Sequence, residues 1–579
     1  MPGKRLQCHS AGHFVMLGEL DDIIMLIVTR PHITRRKRAM LRVVKTENGW
    51  VRGIPAADPR ITAFKGIPFA KPPVGELRWR APQPAEDWEG IRDCYTFGNI
   101  AMQEVPSTSI ADSFYTKEWH VDPDVPMGED CLNLNIWTAA KTGDEKYPVM
   151  VLFYGGALNV GYPSEMELDG ERIARRGVIL VSVNYRVNVF GFMCHPEITA
   201  ENPDTPANFG HLDQRAGIQW VKRNIAAFGG DPENITIFGQ SAGAGSAMVQ
   251  MCSPMNKGLF QKAIPQSGGG FLPPSNMGLT LPQAEKLGED LFEALGVKNL
   301  EEARKVDAKT LWEVAMGDKL KTFGFRWGTV VDYKFLPDYP VRLLMRGEFN
   351  KVPVMLGNTG GEFPIVVNFP TVEAYENYVR NCYEDYADDI LRITEDGTSD
   401  VATMCNNMRY NGFQVGNYMW IDSNTENDYV PMYYYRFDPE IPGDNAGSFH
   451  SSELWFVFET LAKCWRPFKG KHYDLARIMC NYWTNFAKTG DPNGLDSDGT
   501  PMPEWKPVSS DYKEAMFFGD GVIGMTEGLR TELEEVLVKY YRGELERGEL
   551  PTVFKAIAMA GMGDFKLADE GGVPPVVNS

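Results

Sequence analysis

The feature that most constrains this chain is a glycine–serine–glycine motif placed between a predicted strand and a predicted helix. Residues 235–238 (ITIF) are apolar and mostly β-branched, which indicates a buried strand. Gly239, Ser241 and Gly243 follow, and the alanine-rich residues 242–251 predict a helix. A nucleophile elbow requires this order of strand, motif and helix, because its tight turn exposes the serine at the helix N-terminus. The flanking positions are glycines because such a turn leaves little room for a Cβ atom.

A serine hydroxyl becomes a nucleophile only when a base takes its proton and an acid orients that base. On an elbow scaffold the acid and then the histidine follow the serine along the chain. Of the eight histidines, only His450 and His472 lie well beyond Ser241. His450 sits in a loop of small residues, which can present an imidazole without crowding it. His472 lies in a charged segment at a predicted helix start and is expected to be a solvated surface residue, so His450 is the predicted base.

Two carboxylates are candidates for the acid. Glu362 follows the predicted strand 352–356 through a glycine-rich turn, and catalytic groups of open α/β sheets lie at the carboxyl ends of strands. Asp332 lies within a short apolar run, where a carboxylate is more often a structural hydrogen-bond acceptor. Glu362 is therefore preferred, with Asp332 as its rival.

Backbone donors for a tetrahedral oxyanion are the third requirement of this chemistry. The turn 154–157 (YGGA) directly follows the predicted buried strand 149–153. Its small residues let N–H groups point at a ligand, and Ala242, next to the serine, supplies a further N–H. A glycine pair can also be only a tight turn, but this one follows a strand that should neighbour the elbow strand.

Strand and helix patterns alternate over most of the chain. Apolar runs predict strands, and helical spacing predicts helices, at the following positions: strands 149–153, 178–183, 262–266, 352–356 and 433–437; helices 214–228, 282–295 and 474–488. Residues 43–53 predict a hairpin, and the proline- and aromatic-rich residues 64–88 predict an ordered loop. The alternation predicts an α/β fold with a central, mostly parallel mixed sheet and helices on both faces.

Composition excludes several classes of partner. The formal net charge of -19 argues against nucleic-acid binding, which needs a basic surface. No apolar run approaches the roughly 18 residues of a membrane span. The nine cysteines are scattered at long spacings, which fits a reduced cytoplasmic chain better than a disulfide framework. No His/Cys pair has zinc-ligand spacing, and no glycine-rich loop suits a dinucleotide.

The ends of the chain differ from its centre. In the first 40 residues an acidic pair precedes a short apolar run, 23–28, and the basic run 35–38 follows it. A secretory signal has the opposite charge order and a longer apolar core. We therefore expect a non-core N-terminal extension over residues 1–40, one domain over 41–560 and a C-terminal tail over 561–579.

Eight segments of the chain, between about residues 43 and 505, resemble the type B carboxylesterase family of α/β-hydrolases, whose members include cholinesterase-like and para-nitrobenzyl-esterase-like enzymes. The segments are 64–70 (FKGIPFA), 129–135 (EDCLNLN), 154–157 (YGGA), 183–186 (VNYR), 208–214 (NFGHLDQ), 228–232 (FGGDP), 239–243 (GQSAG) and 482–487 (YWTNFA). The resemblance implies an α/β-hydrolase fold with helical insertions after the elbow, and it implies no cofactor or metal. It also implies these roles: Ser241 as nucleophile, Glu362 as acid, His450 as base, and the N–H groups of Gly156, Ala157 and Ala242 as oxyanion donors.

The chain departs from the family pattern at three places. The third glycine of the oxyanion turn is replaced by Ala157, a change that resembles other members and keeps the N–H. Many members carry Glu before the nucleophile, whereas this chain has Gln240, a difference that is expected not to affect the triad chemistry. Secreted members pair a cysteine like Cys131 with one about thirty residues upstream. Here residues 98–103 contain no cysteine, and Cys94 is displaced from that position. The missing partner favours a cytoplasmic protein.

The expected function is hydrolysis of a small-molecule carboxylic ester through an acyl-enzyme. A lipase or an amidase on the same scaffold is the alternative, and a non-catalytic adhesion homologue is a remote one because all three triad residues are present. Five aromatic residues near the predicted site suggest an apolar acyl pocket, with a core role as the other interpretation: Phe363, Phe369, Phe449, Trp455 and Phe456. The physiological ester and the oligomeric state are left open.

Overall fold

The computed structural model describes residues 40–547, apart from 106–116, 120–121, 123, 269–278, 318–326, 396, 398–399, 511–513 and 528. The predicted tail 561–579, and all of the predicted N-terminal extension except Met40, lie outside the described residues.

The described strands form one large sheet and three small ones. They are β1 (Val43–Lys45), β2 (Trp50–Arg52), β3 (Ile54–Pro55), β4 (Thr62–Pro68), β5 (Ile91–Asp93), β6 (Asn133–Thr138), β7 (Tyr147–Phe153), β8 (Ile179–Val183), β9 (Gly230–Gln240), β10 (Lys262–Gln266), β11 (Leu279–Thr280), β12 (Val330–Val331), β13 (Val354–Thr359), β14 (Pro364–Ile365), β15 (Tyr410–Asn411), β16 (Met432–Phe437), β17 (Glu514–Phe518) and β18 (Ile523–Glu527). The small sheets are β1-β2-β5, β11-β12 and β14-β15.

The large sheet has eleven strands within the described residues, in the order β18-β17-β16-β13-β10-β9-β7-β8-β6-β4-β3. The strands from β17 to β8 in this order run parallel to one another. Antiparallel strands flank this parallel part of the sheet. They are β18 at one edge, and β6, β4 and β3 at the other edge. The predicted mostly parallel mixed sheet is confirmed.

Helices connect these strands. In the described part of the chain they are α1 (Glu171–Arg175), α2 (Asn188–Phe192), α3 (Pro196–Glu201), α4 (Phe209–Asn224), α5 (Ala242–Cys252), α6 (Leu281–Leu295), α7 (Leu300–Arg304), α8 (Ala308–Met316), α9 (Pro340–Met345), α10 (Val372–Tyr383), α11 (Ala387–Glu395), α12 (Val401–Asn407), α13 (Gly412–Asn427), α14 (Leu454–Val457), α15 (Gly470–Thr489) and α16 (Glu532–Glu546). None of the helices in these ranges is long and apolar enough to cross a membrane.

Both faces of the sheet are covered. Every residue of β8, β10 and β13 is buried, and successive strand residues point to opposite faces. Helix α5 packs on β9 and β10, and α15 packs on β7 and β9. The predicted insertions are also present: α6 to α9 lie between β10 and β13, and α10 to α13 lie between β13 and β16.

The predicted hairpin at residues 43–53 is confirmed by the antiparallel pair β1-β2. The predicted ordered loop at 64–88 is wrong in its first part, because β4 continues through Pro68 and pairs with β6. The pairing register shifts between Phe64 and Ile67, and Gly66 lies there at φ 70°. A bulge of this kind inserts a residue and breaks the alternation by which a strand is recognised.

Candidate active site

Ser241 occupies the turn between β9 and α5. Its backbone has φ 57° and ψ -124°, a conformation that is strained for a residue with a Cβ. A Cβ on Gly239 or Gly243 would lie 2.4 Å or 2.0 Å from the carbonyl oxygen of Phe153, at the end of β7. The Ser241 N–H donates to the Gln266 carbonyl oxygen at 2.9 Å. The turn is therefore held by two neighbouring strands, and the flanking glycines are required by close backbone contact.

Glu362 and His450 form a buried pair. The Nδ1 atom of His450 is hydrogen-bonded to Oε2 of Glu362, and both residues are buried. The Glu362 Oε1 atom accepts the Thr359 N–H, from the last residue of β13, at 2.9 Å. The Gly361 N–H donates to the Ser448 carbonyl oxygen at 2.9 Å, which joins the loop of Glu362 to the loop of His450.

The surroundings of Glu362 determine which imidazole nitrogen carries the proton. Burial alone would raise the pKa of Glu362, but the charge and hydrogen bond of His450, with the Thr359 N–H, hold that pKa below its usual value. An ionised carboxylate can only accept hydrogen bonds. The neutral imidazole therefore carries its hydrogen on Nδ1 and presents a lone pair at Nε2, as a general base must.

The Nε2 atom of His450 lies 3.3 Å from Nε2 of Gln240, the last residue of β9 and the neighbour of Ser241. Nothing in the sequence indicated this contact between Gln240 and the imidazole. The Ser241 hydroxyl makes no hydrogen bond to His450 within the part of the chain that the structure describes; such contacts often tighten only when substrate binds. The imidazole thus faces the elbow, with the amide of Gln240 as its hydrogen-bond neighbour.

The turn after β7 packs against the serine. A Cβ on Gly155 would lie 3.4 Å from the Cβ of Ser241. Gly156 has φ 108° and Ala157 has φ 56°, so the backbone is left-handed at both positions. Over the described ranges, neither N–H group donates to a protein acceptor, and the Ala242 N–H is at the start of α5, where no intrahelical partner exists. The turn and the helix start together provide free donors beside Ser241.

A second buried carboxyl lies next to the acid. Glu453 is fully buried, and burial, followed by the neighbouring Glu362 carboxylate, raises the pKa of Glu453 to about 8. The side chains of Gln266 and Ser267 are adjacent to it. The sequence analysis did not identify Glu453 as a site residue. Its position directly before the apolar segment 454–458 is the sequence signal that could have indicated a buried carboxyl.

Two phenylalanine rings pack around the imidazole. The ring centroids of Phe363 and Phe413 lie 4.7 Å and 5.3 Å from that of His450. Phe413, in α13, was missed because no local motif marks it. The other four aromatic residues of the predicted acyl pocket are buried, which supports the core interpretation for them: Phe369, Phe449, Trp455 and Phe456.

The two rival residues have structural roles. Asp332 is buried and accepts hydrogen bonds from the N–H of Leu336 at 2.9 Å and from the amide of Asn208 at 2.9 Å, as expected for a structural acceptor. His472 is only 3 % exposed, so the expected solvated position is wrong. Its Nδ1 accepts the Lys469 N–H at 2.8 Å. A free N–H at the start of α15 needs an acceptor, and this requirement draws the imidazole inward.

Within the described residues, no group of three or more His, Cys, Asp or Glu side chains could hold a metal ion. The eight cysteines in the same ranges are unpaired, Cys94 and Cys131 among them.

Comparison with known proteins gives consistent matches over most of the chain. The model of the carboxylesterase family matches residues 41–535. Para-nitrobenzyl esterase of Bacillus subtilis (strain 168) is 32% identical over 498 residues, which cover 82% of this chain and 94% of that protein. Acetylcholinesterase of Bungarus fasciatus is 32% identical over 511 residues, covering 81% and 82%. Carboxylesterase 1E of Mus musculus is 30% identical over 546 residues, covering 85% and 91%. A solved structure of a PNB esterase superposes with a TM-score of 0.70 at 28% identity, covering 86% of this chain and 99% of that one.

Proposed function

The chain belongs to the carboxylesterase family and is a serine hydrolase of carboxylic esters, and from this premise we propose that Ser241, His450 and Glu362 carry out the hydrolysis. The observation that supports this assignment is the buried Glu362–His450 pair, which faces the strained turn that presents Ser241. A strained nucleophile next to an oriented base is the arrangement that acyl transfer needs.

The proposed acylation uses these groups in turn. Nε2 of His450 takes the proton of the Ser241 hydroxyl as the oxygen attacks the ester carbonyl carbon. The carbonyl electrons move onto the oxygen, and the N–H groups of Gly156, Ala157 and Ala242 stabilise the resulting oxyanion. When the tetrahedral intermediate collapses, the imidazolium gives its proton to the leaving alcohol oxygen, and an acyl-enzyme remains.

Deacylation repeats the sequence with water as the nucleophile. His450 takes a proton from water, water attacks the acyl carbon, and the Ser241 oxygen leaves with the proton that the imidazolium returns. Glu362 holds the imidazole in one orientation and stabilises its charged form, and a buried carboxylate does so strongly because solvent does not screen it.

The ester class is tested by a substrate series. We expect hydrolysis of p-nitrophenyl esters of short and medium acyl chain length. The chain length at which kcat/KM falls would give the size of the acyl pocket. An anilide series and emulsified triacylglycerol test the amidase and lipase alternatives. Faster turnover of either of these substrates than of the esters would contradict the carboxylesterase assignment.

The oxyanion turn gives a prediction of its own. Gly156→Ala is expected to lower kcat by about 100-fold or more, because removal of a single oxyanion donor has an effect of that size. A Cβ on Gly156 would lie 2.2 Å from the Val160 carbonyl oxygen, so the turn must move. The measurement is kcat for p-nitrophenyl acetate together with the melting temperature.

The matched control for this variant is Gly296→Ala. Gly296 ends α6 with φ 70°, and a Cβ there would meet nothing within 4 Å. This control introduces the same kind of backbone strain away from the site, so it should lower the melting temperature and leave kcat unchanged. Equal activity of Gly156→Ala and Gly296→Ala would refute the oxyanion role.

We also propose that the catalytic domain begins near residue 41, where the family match starts. The Leu41 N–H donates to the Ala140 carbonyl oxygen at 3.1 Å, so the chain is tied to the domain from this point. A protein that begins at Met40 should match the full chain in activity and melting temperature. A drop of several degrees would show that residues 1–39 stabilise the domain.

A cytoplasmic location is proposed as well. The unpaired cysteines among the described residues support it, because disulfides persist mainly in oxidising compartments. Fractionation of cells that express the protein tests this location, and recovery in a secreted or periplasmic fraction would contradict it.

A further inference from the structure

The side-chain amide of Gln240 bridges the base and the residue that follows it. Its Nε2 atom lies 3.3 Å from Nε2 of His450, and its Oε1 atom accepts the hydroxyl of Ser451 at 2.7 Å. Gln240 and Ser451 are both buried. The amide therefore has a defined partner at each end, inside the site and next to the nucleophile.

The orientation of this amide follows from the charge state of its neighbours. The ionised Glu362 accepts a hydrogen bond from the N–H at Nδ1 of His450, so Nε2 carries a lone pair in the neutral imidazole. The carbonyl oxygen of an amide facing that lone pair would place two acceptors together. The amide N–H must therefore face Nε2, and the oxygen must face the Ser451 hydroxyl, which can donate.

We propose that Gln240 is a positioning residue that keeps His450 neutral, with its proton on Nδ1, in the free enzyme. The inference rests on the proposed function, in which neutral His450 is the base. The amide N–H donates to Nε2 only while Nε2 has its lone pair. Protonation of Nε2 would place one N–H against another, so the contact opposes the imidazolium until the Ser241 hydroxyl supplies the proton.

A carboxylate in the same place would act in the opposite direction. The oxygens of a glutamate side chain introduced by Gln240→Glu would accept a hydrogen from Nε2 and add a negative charge beside the imidazole. Both effects favour the imidazolium and weaken the base at neutral pH. The acid limb of the pH profile of kcat/KM, which reports the free enzyme, is therefore the property that Gln240 controls.

Other groups near His450 also affect this limb. The titratable and polar groups around the Glu362–His450 pair are Glu362 after β13, Ser267 after β10, Glu453 before α14 and Tyr435 in β16, of which the last three interact with Glu362. Ser241 follows Gln240 in the chain, and the Ser451 hydroxyl is hydrogen-bonded to the Gln240 amide. Phe363 and Phe413 cover the ring without charge. Gln240→Met and Ser451→Gly leave all the carboxyl groups of this set unchanged, so a shift of the limb in these two variants reports the loss of the amide contact, whereas Gln240→Glu reports the added charge as well.

The test is the pH profile of kcat/KM for p-nitrophenyl acetate in four proteins: wild type, Gln240→Glu, Gln240→Met and Ser451→Gly. Gln240→Glu should raise the midpoint of the acid limb by about one pH unit or more, as expected for a charge at this distance. Gln240→Met keeps the length of the side chain and removes the donor, so the midpoint should rise by a smaller amount. The plateau at high pH should stay within a few-fold of wild type in both.

Ser451→Gly tests the other end of the amide. Ser451 has φ 75°, a left-handed conformation that glycine adopts without strain, so this change removes the hydroxyl and spares the backbone. Without its anchor the amide can rotate, and the midpoint should rise by an intermediate amount. Gln83→Glu is the charge-matched control because Gln83 is exposed, and its profile should equal that of wild type.

Titration with a fluorophosphonate counts active sites, so poorly folded fractions do not distort kcat/KM. A wild-type acid limb in both Gln240 variants would overturn the proposal, and so would a loss of activity that is uniform over pH. If Gln240→Glu does not fold, the limb positions of Gln240→Met and Ser451→Gly decide the question. Failure of the proposed function is a separate result, since it would appear as activity retained in Ser241→Ala.

Discussion

Ser241→Ala is expected to lower kcat by about four to six orders of magnitude and to leave the fold intact. Ser241 is the hydroxyl residue at the elbow between β9 and α5, next to the oxyanion turn, so the proposed acyl-enzyme cannot form once its oxygen is lost. The backbone turn should persist because it depends on the Ser241 N–H bond to Gln266 and on the flanking glycines, which the substitution retains. The measurement is kcat for p-nitrophenyl acetate, with circular dichroism as the test of folding.

The control for this variant is Ser246→Ala, in α5, the helix that follows Ser241. The Ser246 hydroxyl accepts a hydrogen bond from Gln214 at 2.9 Å, so its removal perturbs α5 without touching the reaction. This change should reduce the melting temperature and affect kcat by only a few-fold. A fluorophosphonate probe should label wild type at Ser241 and leave Ser241→Ala unlabelled. Labelling at another serine, or activity retained in Ser241→Ala, would refute the nucleophile assignment.

His450→Ala is expected to lose nearly as much activity as Ser241→Ala, because His450 is the proposed base that takes the proton of the Ser241 hydroxyl. Members of a catalytic triad act as a unit, so their losses are not additive. The double variant Ser241→Ala/His450→Ala should therefore be little worse than either single variant. Kinetics of the three proteins, each normalised to folded protein, provide the measurement.

His472→Ala is the matched control, since it removes the other candidate histidine. His472 is buried and its Nδ1 accepts the Lys469 N–H at the start of α15. Its loss should lower stability by about 1 kcal/mol, the usual effect of removing a helix cap. Activity and the acid limb of the pH profile should stay close to wild type. Loss of activity in His472→Ala together with activity retained in His450→Ala would reverse the assignment of the base.

Several features were predictable from the sequence because they depend on neighbours along the chain. The elbow requires small residues on both sides of Ser241, and the sequence shows them as glycines. Continuous apolar runs predicted the parallel strands correctly, because a strand covered on both faces has no polar side. Chain order alone left two candidate histidines, and loop composition favoured His450.

The errors have a common physical origin. The strand β4 was missed because a bulge at Gly66 breaks its alternation. His472 was misplaced because its polar neighbours suggested solvent, whereas its imidazole serves as a helix cap. In both cases the local sequence pattern did not predict a tertiary contact. For β4 this contact is the strand pairing with β6 across the bulge, and for His472 it is the hydrogen bond to the Lys469 N–H.

Sequence alone determined the class of fold and the glycine–serine–glycine motif of the elbow, because these features are expressed in short-range spacing, and it supplied the proposed order of the catalytic residues. Only the tertiary structure decided what surrounds the imidazole. Gln240 and His450 are separated by 210 residues, and Glu453 and Phe413 reach the same site from other elements. Contacts of this kind depend on the distances and directions that the packed sheet imposes. They produce no repeating pattern in the sequence, so they could not be predicted from it.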